Sequence, residues 1–330
     1  MPVLQVENLS VEFPTEAGIL RATDGLSFAI EAQEAFGLVG ESGSGKSVTA
    51  LAIMRLLGSS GHIAGGRIML KGEDLLTKTD TEMQSVRGRQ IGMIFQEPMT
   101  SLNPAFTVGE QIAEVFRFHF RTERKEAQRR AIEVMEKVKL PRAKEMYSKY
   151  PHELSGGMRQ RVMIGIALSC EPDLLIADEP TTALDVTIQA QIVALLDELR
   201  REMGMALLFI SHNLGVVAQV CQRVAVMYGA RIMEVAPTAT LFEAPAHPYT
   251  AGLLGSIPTR GKPLQTITGV ACDLKAPPSG CRFHPRCTSV QDRCRVEEPP
   301  LTFQGASSLG LAADDRPVAC HFPLRGSQTN

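Results

Sequence analysis

Two segments near the start of the chain alternate between apolar and polar positions, as the two faces of a β-strand require. This alternation predicts strands over residues 2–13 and 26–39, with Asn8, Gly18 and Gly25 near turns. Shorter apolar runs predict two further strands, at residues 66–71 and 91–95.

A helical period takes over between residues 107 and 140, where apolar positions recur every three or four residues with dense charge between them. The pattern predicts two helices joined by the charged stretch 121–125. A third helix is expected from about Gly157 to Cys170.

The next segment alternates strand, helix and strand. Two buried apolar runs, 173–177 and 205–210, flank a helical pattern at 187–202. This order favours an α/β core with a parallel sheet. Residues 223–235 follow, and they predict a hairpin that turns at Gly229.

Composition narrows the class of protein. The chain has 330 residues, 44% of them hydrophobic, and a net charge of −2 from 34 basic and 36 acidic residues, so nothing indicates a nucleic-acid partner. No stretch approaches the length of a membrane span, and the first residues lack the features of a secretion signal. We expect a soluble, cytoplasmic chain whose membrane role, if any, depends on a partner.

The run Gly40–Ser47 carries the strongest chemical signal. It fits the pattern G-x-x-x-x-G-K-[ST] and lies between a predicted strand and a predicted helix, where such a loop wraps backbone N–H groups around a phosphate. Lys46 can reach the β- and γ-phosphates, and Ser47 can ligate Mg²⁺. The candidate phosphate-binding residues are Gly40, Ser42, Gly43, Ser44, Gly45, Lys46, Ser47 and Val48.

Two carboxylates end the apolar strand 174–177. Asp178 can hold Mg²⁺, and Glu179, one position on, can face an attacking water. Taken alone, the pair could equally be an acidic cap of a strand. A third element lies upstream, where Ser155, Gly156 and Gly157 open a helix whose first N–H groups could bind an anion, although Ser155 could also be an ordinary N-cap.

Together these motifs resemble the ATP-binding cassette (ABC) ATPases, over roughly residues 3–250. In that family 40–47 is the Walker A loop, 174–179 is Walker B and 154–160 is the signature motif. The remaining family motifs follow in order, at Gln96 (Q-loop), Thr182–Asp185 (D-loop), His212 (switch histidine) and Phe13 (adenine-stacking aromatic).

The resemblance implies roles that spacing alone does not. ATP would be held with Mg²⁺ on Ser47, Gln96 and Asp178, and Glu179, His212 and Gln96 would serve hydrolysis. Family members form head-to-tail dimers, so Ser155, Gly156, Gly157 and Asp185 would serve the nucleotide at the dimer interface. One departure is Asn213, where the family usually has Asp after the switch histidine.

The resemblance also implies an organisation. We expect an α/β P-loop core with an antiparallel β subdomain and a helical subdomain at about 97–170, together forming a nucleotide-binding domain over 1–256. After about residue 257 the frequency of Pro, Gly and Cys rises and helical periodicity fades. This change predicts a small Cys-rich extension over 257–330.

Four cysteines characterise that extension: Cys281, Cys287, Cys294 and Cys320. Their spacing is wider than that of a common zinc ribbon, and four thiolates suit a [4Fe–4S] cluster in number and softness. On the residues alone, an iron–sulfur cluster, Zn²⁺ and metal-free thiols all stay open. A ligand role for Cys272 is not expected.

The extension resembles the dipeptide, oligopeptide and nickel branch of importer ATPases, through 247–250, 280–281, 285–287, 293–294 and 319–321. Some members carry an iron–sulfur cluster on these cysteines. Residues 97–104 resemble the same branch, and in family terms they face the membrane subunits.

The resemblance implies an energy-coupling ATPase subunit. Its expected partners are two transmembrane permease subunits, a sister ATPase or a second copy of itself, and indirectly a substrate-binding protein, at the inner face of the cell membrane. The alternative is a non-transport cassette ATPase of the translation or DNA-repair kind. The cargo is not specified by any of these residues.

Overall fold

The computed structural model describes residues 2–16, 18–97, 101–182, 184–258, 266–303 and 316–324. They divide into two compact units. The first unit comprises the described residues within Met1–Leu4, Ile30–Ala35 and Met69–Ile210, and the second comprises those within Gln5–Ala29, Phe36–Ile68 and Ser211–Asn330.

The described strands, in chain order, are β1 (Leu4–Thr15), β2 (Gly18–Ile30), β3 (Ala35–Gly40), β4 (His62–Leu70), β5 (Glu73–Asp74), β6 (Ile91–Ile94), β7 (Leu174–Asp178), β8 (Ala206–Ser211), β9 (Arg223–Tyr228), β10 (Arg231–Pro237), β11 (Thr302–Phe303) and β12 (Pro317–Val318).

The described helices are α1 (Lys46–Ile53), α2 (Asp80–Val86), α3 (Val108–Phe120), α4 (Arg124–Lys137), α5 (Ala143–Met146), α6 (Gly156–Leu168), α7 (Val186–Met203), α8 (Leu214–Val220), α9 (Thr238–Glu243), α10 (Pro248–Gly255) and α11 (Asp292–Val296).

The first unit is organised around a parallel sheet. Strand β7 pairs in parallel with β6 on one side and β8 on the other. Every residue of β7 and β8 is buried, which explains why both are continuous apolar runs. The predicted parallel α/β core is therefore present in this unit.

Helices α3, α4 and α6 belong to the same unit and bury apolar stripes such as Ile112, Phe116 and Met135. Local sequence sets their ends. The Thr107 side chain caps α3 by accepting a hydrogen bond from the N–H of Glu110, and α7 ends at Gly204, whose φ of 64° is left-handed. The predicted helices in this region are confirmed.

The second unit contains strands of both orientations. Strand β3 pairs in parallel with β9, β9 forms an antiparallel hairpin with β10, and β12 pairs antiparallel with β10 and β11. The hairpin turns at Gly229 and Ala230, both with positive φ, as predicted. Strand β12 therefore brings Pro317 and Val318 into the same sheet as β9 and β10.

A further sheet in the second unit has β2 beside β1 and β1 beside β4. Asn8 N–H donates to Ser27 Oγ, and Gly25 N–H donates to Ser10 Oγ, so β1 and β2 run antiparallel. This sheet corresponds to the predicted antiparallel β region. Its course differs from the prediction, because β1 continues through Asn8, β2 continues through Gly25 and the chain turns at residues 31–34.

Short elements without a clear period were not predicted. Helices α2, α5 and α8 are of this kind, and α2 begins with a capping box between Thr79 and Glu82. Among the described residues, no helix is both long and apolar enough to cross a membrane.

Candidate functional site

The loop between β3 and α1 has the backbone of a phosphate cradle. Gly40 has φ 155° and Gly45 has φ 105°. A Cβ on Gly40 would lie 2.1 Å from the carbonyl oxygen of Met227, and one on Gly45 would lie 2.3 Å from that of Ala22. Both positions therefore require glycine, for conformation and for space.

Lys46 folds back over this loop. Its Nζ donates hydrogen bonds of 2.9 Å to the carbonyl oxygens of Gly40 and Glu41, and its side chain is 4% exposed. A buried ammonium held by carbonyl dipoles is placed at the centre of the cradle, where it can meet phosphate oxygens.

The other predicted loop residues surround it. Ser42 and Gly43 are exposed, Ser44 is buried, and Ser47 and Val48 are half-buried in the first turn of α1. The first N–H groups of α1 need acceptors from outside the helix. A glycine-rich loop that leads into the first N–H groups of a helix has the geometry that can bind an anion.

Phe13, the predicted adenine-stacking residue, lies on β1 and is half-buried. Its ring faces Gly61, where an added Cβ would approach to 2.6 Å. The glycine thus leaves room for one edge of the ring.

The carboxylates at the end of β7 occupy different environments. Asp178 is the last buried residue of the strand and is 5% exposed. Glu179 is half-buried with φ 46°, a left-handed conformation that is costly for a residue with a side chain. Its carboxylate accepts hydrogen bonds from Gln96 Nε2 at 3.2 Å and Thr182 Oγ1 at 2.8 Å.

This geometry brings together two residues that the sequence proposes independently, Gln96 and Glu179. The contribution of the Thr182 hydroxyl was not predicted, although its spacing of three residues from Glu179 is a local signal. The pair of donors fixes the orientation of the carboxylate, as a group that positions water requires.

The start of α6 presents the predicted signature residues. Ser155 is the N-cap, and its Oγ accepts a hydrogen bond from Met158 N–H at 3.4 Å. Ser155 and Gly156 are exposed, and a Cβ on Gly157 would lie 2.8 Å from Ile188 in α7. Glycine at 157 therefore lets the starts of α6 and α7 approach closely. The structure also shows Ser155 as an ordinary N-cap of α6.

Asp185 is exposed and caps α7 by accepting from Ile188 N–H at 3.0 Å. Ala183 of the same predicted loop lies outside the described residues, as do positions 98–100 of the segment after Gln96.

His212 follows β8 and is exposed. The next residue, Asn213, caps α8 by accepting from Gly215 N–H at 3.0 Å. Asparagine and aspartate are equally good caps, so the departure from the family pattern keeps this local structure and removes a charge.

The predicted residues thus fall into two sets. In the first unit are Gln96, Ser155, Gly156, Gly157, Asp178, Glu179 and Asp185, and in the second are Phe13, the loop from Gly40 to Val48, and His212.

All four predicted cysteines line one cavity in the second unit, together with aromatic and imidazole side chains. They are free thiols. Burial raises the pKa of Cys281, Cys287 and Cys320, the last to about 11. Within the described part of the chain, no three His, Cys, Asp or Glu side chains are grouped closely enough to share a single metal ion.

Sequence reasoning missed two groups that contact the phosphate loop. Arg286 pairs with the Glu41 carboxylate, and Tyr249 Oη accepts a hydrogen bond from Glu41 N–H at 3.0 Å. Both lie more than 200 positions from Glu41. No local pattern signals a contact at that separation.

Family comparisons match both parts of the chain. Residues 23–182 match the family described as ABC transporter, and residues 233–294 match the family described as oligopeptide/dipeptide transporter, C-terminal region.

Full-length relatives are similar throughout. A protein of Brucella abortus described as a peptide import ATP-binding protein is 50% identical over 315 residues, covering 91% of this chain and 93% of the relative. A second protein of that description from the same organism is 46% identical over 307 residues, covering 92% of each chain.

Solved structures of cassettes are also similar. A dimeric ATP-binding cassette in a post-hydrolysis state with ADP and Pi has a TM-score of 0.65 and 26% identity, covering 71% of this chain and 98% of that one. CbiO1 from Clostridium perfringens, part of the ABC transporter complex CbiONQ, has a TM-score of 0.63 and 25% identity, covering 73% and 90%.

Proposed function

This chain belongs to the ABC transporter family and is an ATPase, and from that premise we propose that it is the energy-coupling subunit of a peptide importer. The observation that carries the catalytic part is the Glu179 carboxylate at the end of a buried strand, oriented by Gln96 and Thr182. The similarity to peptide import ATP-binding proteins over nine-tenths of the chain supports the transport part. It disfavours a translation or DNA-repair role.

In this proposal each residue of the site has its own role in binding or hydrolysing ATP. Lys46 and the N–H groups of its loop would bind the β- and γ-phosphates, and Ser47, Gln96 and Asp178 would hold the Mg²⁺ that offsets the phosphate charge. Glu179 orients the water that attacks the γ-phosphorus and accepts its proton as ADP leaves. His212 contacts the γ-phosphate, and Phe13 stacks on adenine.

Dimerisation completes the site. The exposed start of α6, with Ser155, Gly156 and Gly157, supplies N–H donors to the nucleotide bound by a second cassette, and Asp185 lies beside that interface. ATP bound between the two cassettes closes them, and hydrolysis releases them. The second cassette is a sister ATPase or another copy of this chain.

The remaining partners are two transmembrane permease subunits, which the cassettes drive from the inner face of the cell membrane. A substrate-binding protein delivers the cargo to the permeases. We place the boundary of the nucleotide-binding domain at residue 256, with its helical subdomain at about 97–170, and the importer-type extension at 257–330.

We also propose that Cys281, Cys287, Cys294 and Cys320 bind a [4Fe–4S] cluster. What supports this is the convergence of four free thiols on one cavity, with aromatic walls from Phe283 and Phe322. Each cysteine of such a cluster binds a different iron, so the four sulfurs need not approach one point as they would for zinc. The role is structural.

The test of the cluster is its composition. Protein purified without oxygen should contain iron and acid-labile sulfide, and Cys294→Ser should lose both. Cys170→Ser changes a cysteine outside the cavity and should retain them. Zinc in place of iron, or neither metal in the wild type, would contradict the proposal.

The test of the function is co-purification from detergent-solubilised membranes of the native cell. We expect two multi-span proteins and an ATPase to accompany this chain, and ATP hydrolysis by the complex to rise when the substrate-binding protein is added with a peptide. Recovery with ribosomes or DNA-repair factors would replace the importer with the alternative.

A further inference from the structure

We propose that Arg286 of the C-terminal extension is a positioning residue for the phosphate-binding loop, acting through Glu41. The inference rests on the proposed use of this loop for ATP. It gives the extension a part in nucleotide binding, separate from any metal that its cysteines hold.

The contact is bidentate. Arg286 Nη1 lies 2.7 Å from one Glu41 carboxylate oxygen, and Nη2 lies 3.0 Å from the other. The Arg286 side chain is 6% exposed and that of Glu41 is 27% exposed, so water screens the pair only in part. Paired, planar charge-assisted bonds of this kind are among the strongest that side chains make, and they fix orientation.

Arg286 is itself held from several sides. Its Nε donates to the carbonyl oxygen of Thr268 at 3.1 Å, and its guanidinium lies over the ring of Tyr228 at 5.6 Å. It ends the short 3₁₀ turn His284–Arg286, next to Cys287 of the cysteine cavity. The arginine therefore has little freedom to leave Glu41.

A second group from the same part of the chain holds the backbone of Glu41. Tyr249, fully buried at the start of α10, accepts the Glu41 N–H at 3.0 Å. Both the side chain and the main chain of Glu41 are thus held by residues that follow position 245, Arg286 and Tyr249. The carbonyl oxygen of Glu41 in turn accepts a hydrogen bond from Lys46 Nζ.

The negative charge of Glu41 explains why the loop needs Arg286 beside it. Glu41 is an acidic residue within a loop that must bind a polyanion. Left unpaired, its carboxylate would repel phosphate oxygens and would be free to compete for the Lys46 ammonium. Arg286 neutralises the carboxylate and holds both of its oxygens by hydrogen bonds, so the cradle stays attractive to ATP.

The experiment measures the dissociation constant for Mg-ATP and the steady-state KM and kcat of the full chain. For Arg286→Met we expect the dissociation constant and KM to rise about tenfold with kcat within about twofold, because the lost group acts on binding. Arg286→Lys should recover part of the affinity. Arg286→Met combined with Glu41→Gln should recover most of it, since the unpaired charge is then absent.

The matched control is Arg293→Met, which breaks another arginine–glutamate pair of the extension, with Glu297, away from the loop. It should leave the affinity unchanged. If Arg286→Met binds ATP as the wild type does, or if Glu41→Gln gives no recovery, the inference is wrong. Failure of the wild type to bind ATP would instead overturn the proposed function.

Discussion

Gln96 and Glu179 are 83 positions apart in sequence and meet through a hydrogen bond of 3.2 Å from the amide Nε2 to the carboxylate. Thr182 Oγ1 donates to the same carboxylate oxygen at 2.8 Å. Gln96, which binds Mg²⁺ in the proposed mechanism, is thus hydrogen-bonded to Glu179, which orients the attacking water in that mechanism. Any movement of Gln96 would therefore act directly on the Glu179 carboxylate.

Replacing Glu179 by glutamine should separate binding from hydrolysis. The new amide oxygen can still accept from Gln96 and Thr182, so the loop keeps its geometry, but the group can no longer take a proton. We expect turnover to fall by about 10²–10⁴-fold, with ATP affinity little changed. Phosphate release and equilibrium ATP binding measure the two effects.

The same variant should accumulate an ATP-dependent dimer, visible by size-exclusion chromatography with Mg-ATP. Glu145→Gln, which alters an exposed glutamate of α5, is the matched control and should hydrolyse normally. Near-normal hydrolysis by Glu179→Gln would remove this residue from the mechanism.

Thr182 offers a finer test of how the carboxylate is oriented. Thr182→Val removes the hydroxyl and keeps the shape, so the Glu179 carboxylate loses the hydrogen bond from Thr182 Oγ1. We expect kcat to fall about tenfold with KM for ATP nearly constant. Thr182→Ser retains a hydroxyl and should restore most of kcat. Loss of kcat in Thr182→Ser with normal kcat in Thr182→Val would show that the methyl group, and not the hydroxyl, is what matters.

Ser155 has two candidate roles, and one substitution distinguishes them. Aspartate caps a helix as well as serine does, so Ser155→Asp should leave the thermal midpoint nearly unchanged. Its negative charge would face the γ-phosphate bound by the second cassette and should abolish both the ATP-dependent dimer and hydrolysis. ATP binding to the monomer should persist. A fully active Ser155→Asp would leave Ser155 as a helix cap alone.

The sequence predicted the elements whose pattern is long and regular. Helices α3, α4, α6 and α7 and the buried strands β7 and β8 were anticipated because each presents a sustained period or a continuous apolar run. The residues of the phosphate loop were anticipated because their chemistry is local: a fixed spacing of glycines, lysine and serine within eight positions.

Other features depend on contacts that no local pattern carries. The turn at residues 31–34 was missed because it lacks a glycine; Gln33 adopts φ 61° and the Glu34 carboxylate accepts the Glu31 N–H instead. The Glu41–Arg286 pair joins residues 245 positions apart, and either residue alone resembles an ordinary surface charge.

Asp24 is a buried residue of the second unit that forms a cluster with three arginines, of which Arg282 is buried, Arg231 half-buried and Arg21 exposed. Its carboxylate accepts from Arg231 at 2.8 and 3.0 Å, and it also pairs with Arg282 and Arg21. Burial raises the pKa of Asp24, but the hydrogen bond from Arg231 and the charges of the three arginines outweigh it, so the pKa lies below its ordinary value of 3.8.

The sign of the pH effect follows. A carboxyl whose pKa is lower in the folded than in the unfolded protein stabilises the fold above pH 3.8, and this contribution is lost as the pH falls through the folded pKa. Asp24→Asn should lower the thermal midpoint by several degrees at pH 7, since it leaves the buried Arg282 guanidinium without the carboxylate that it pairs with.

Below about pH 4 the difference between Asp24→Asn and the wild type should shrink, because the wild-type carboxyl is then being protonated as well. Thermal unfolding, monitored by circular dichroism from pH 7 to pH 3, measures this difference in thermal midpoint. Asp273→Asn, which changes a carboxylate that caps an exposed turn at Lys275 N–H, is the control and should follow the wild type at every pH. A difference between Asp24→Asn and the wild type that stays constant down to pH 3 would mean that the Asp24 charge is not what stabilises the cluster.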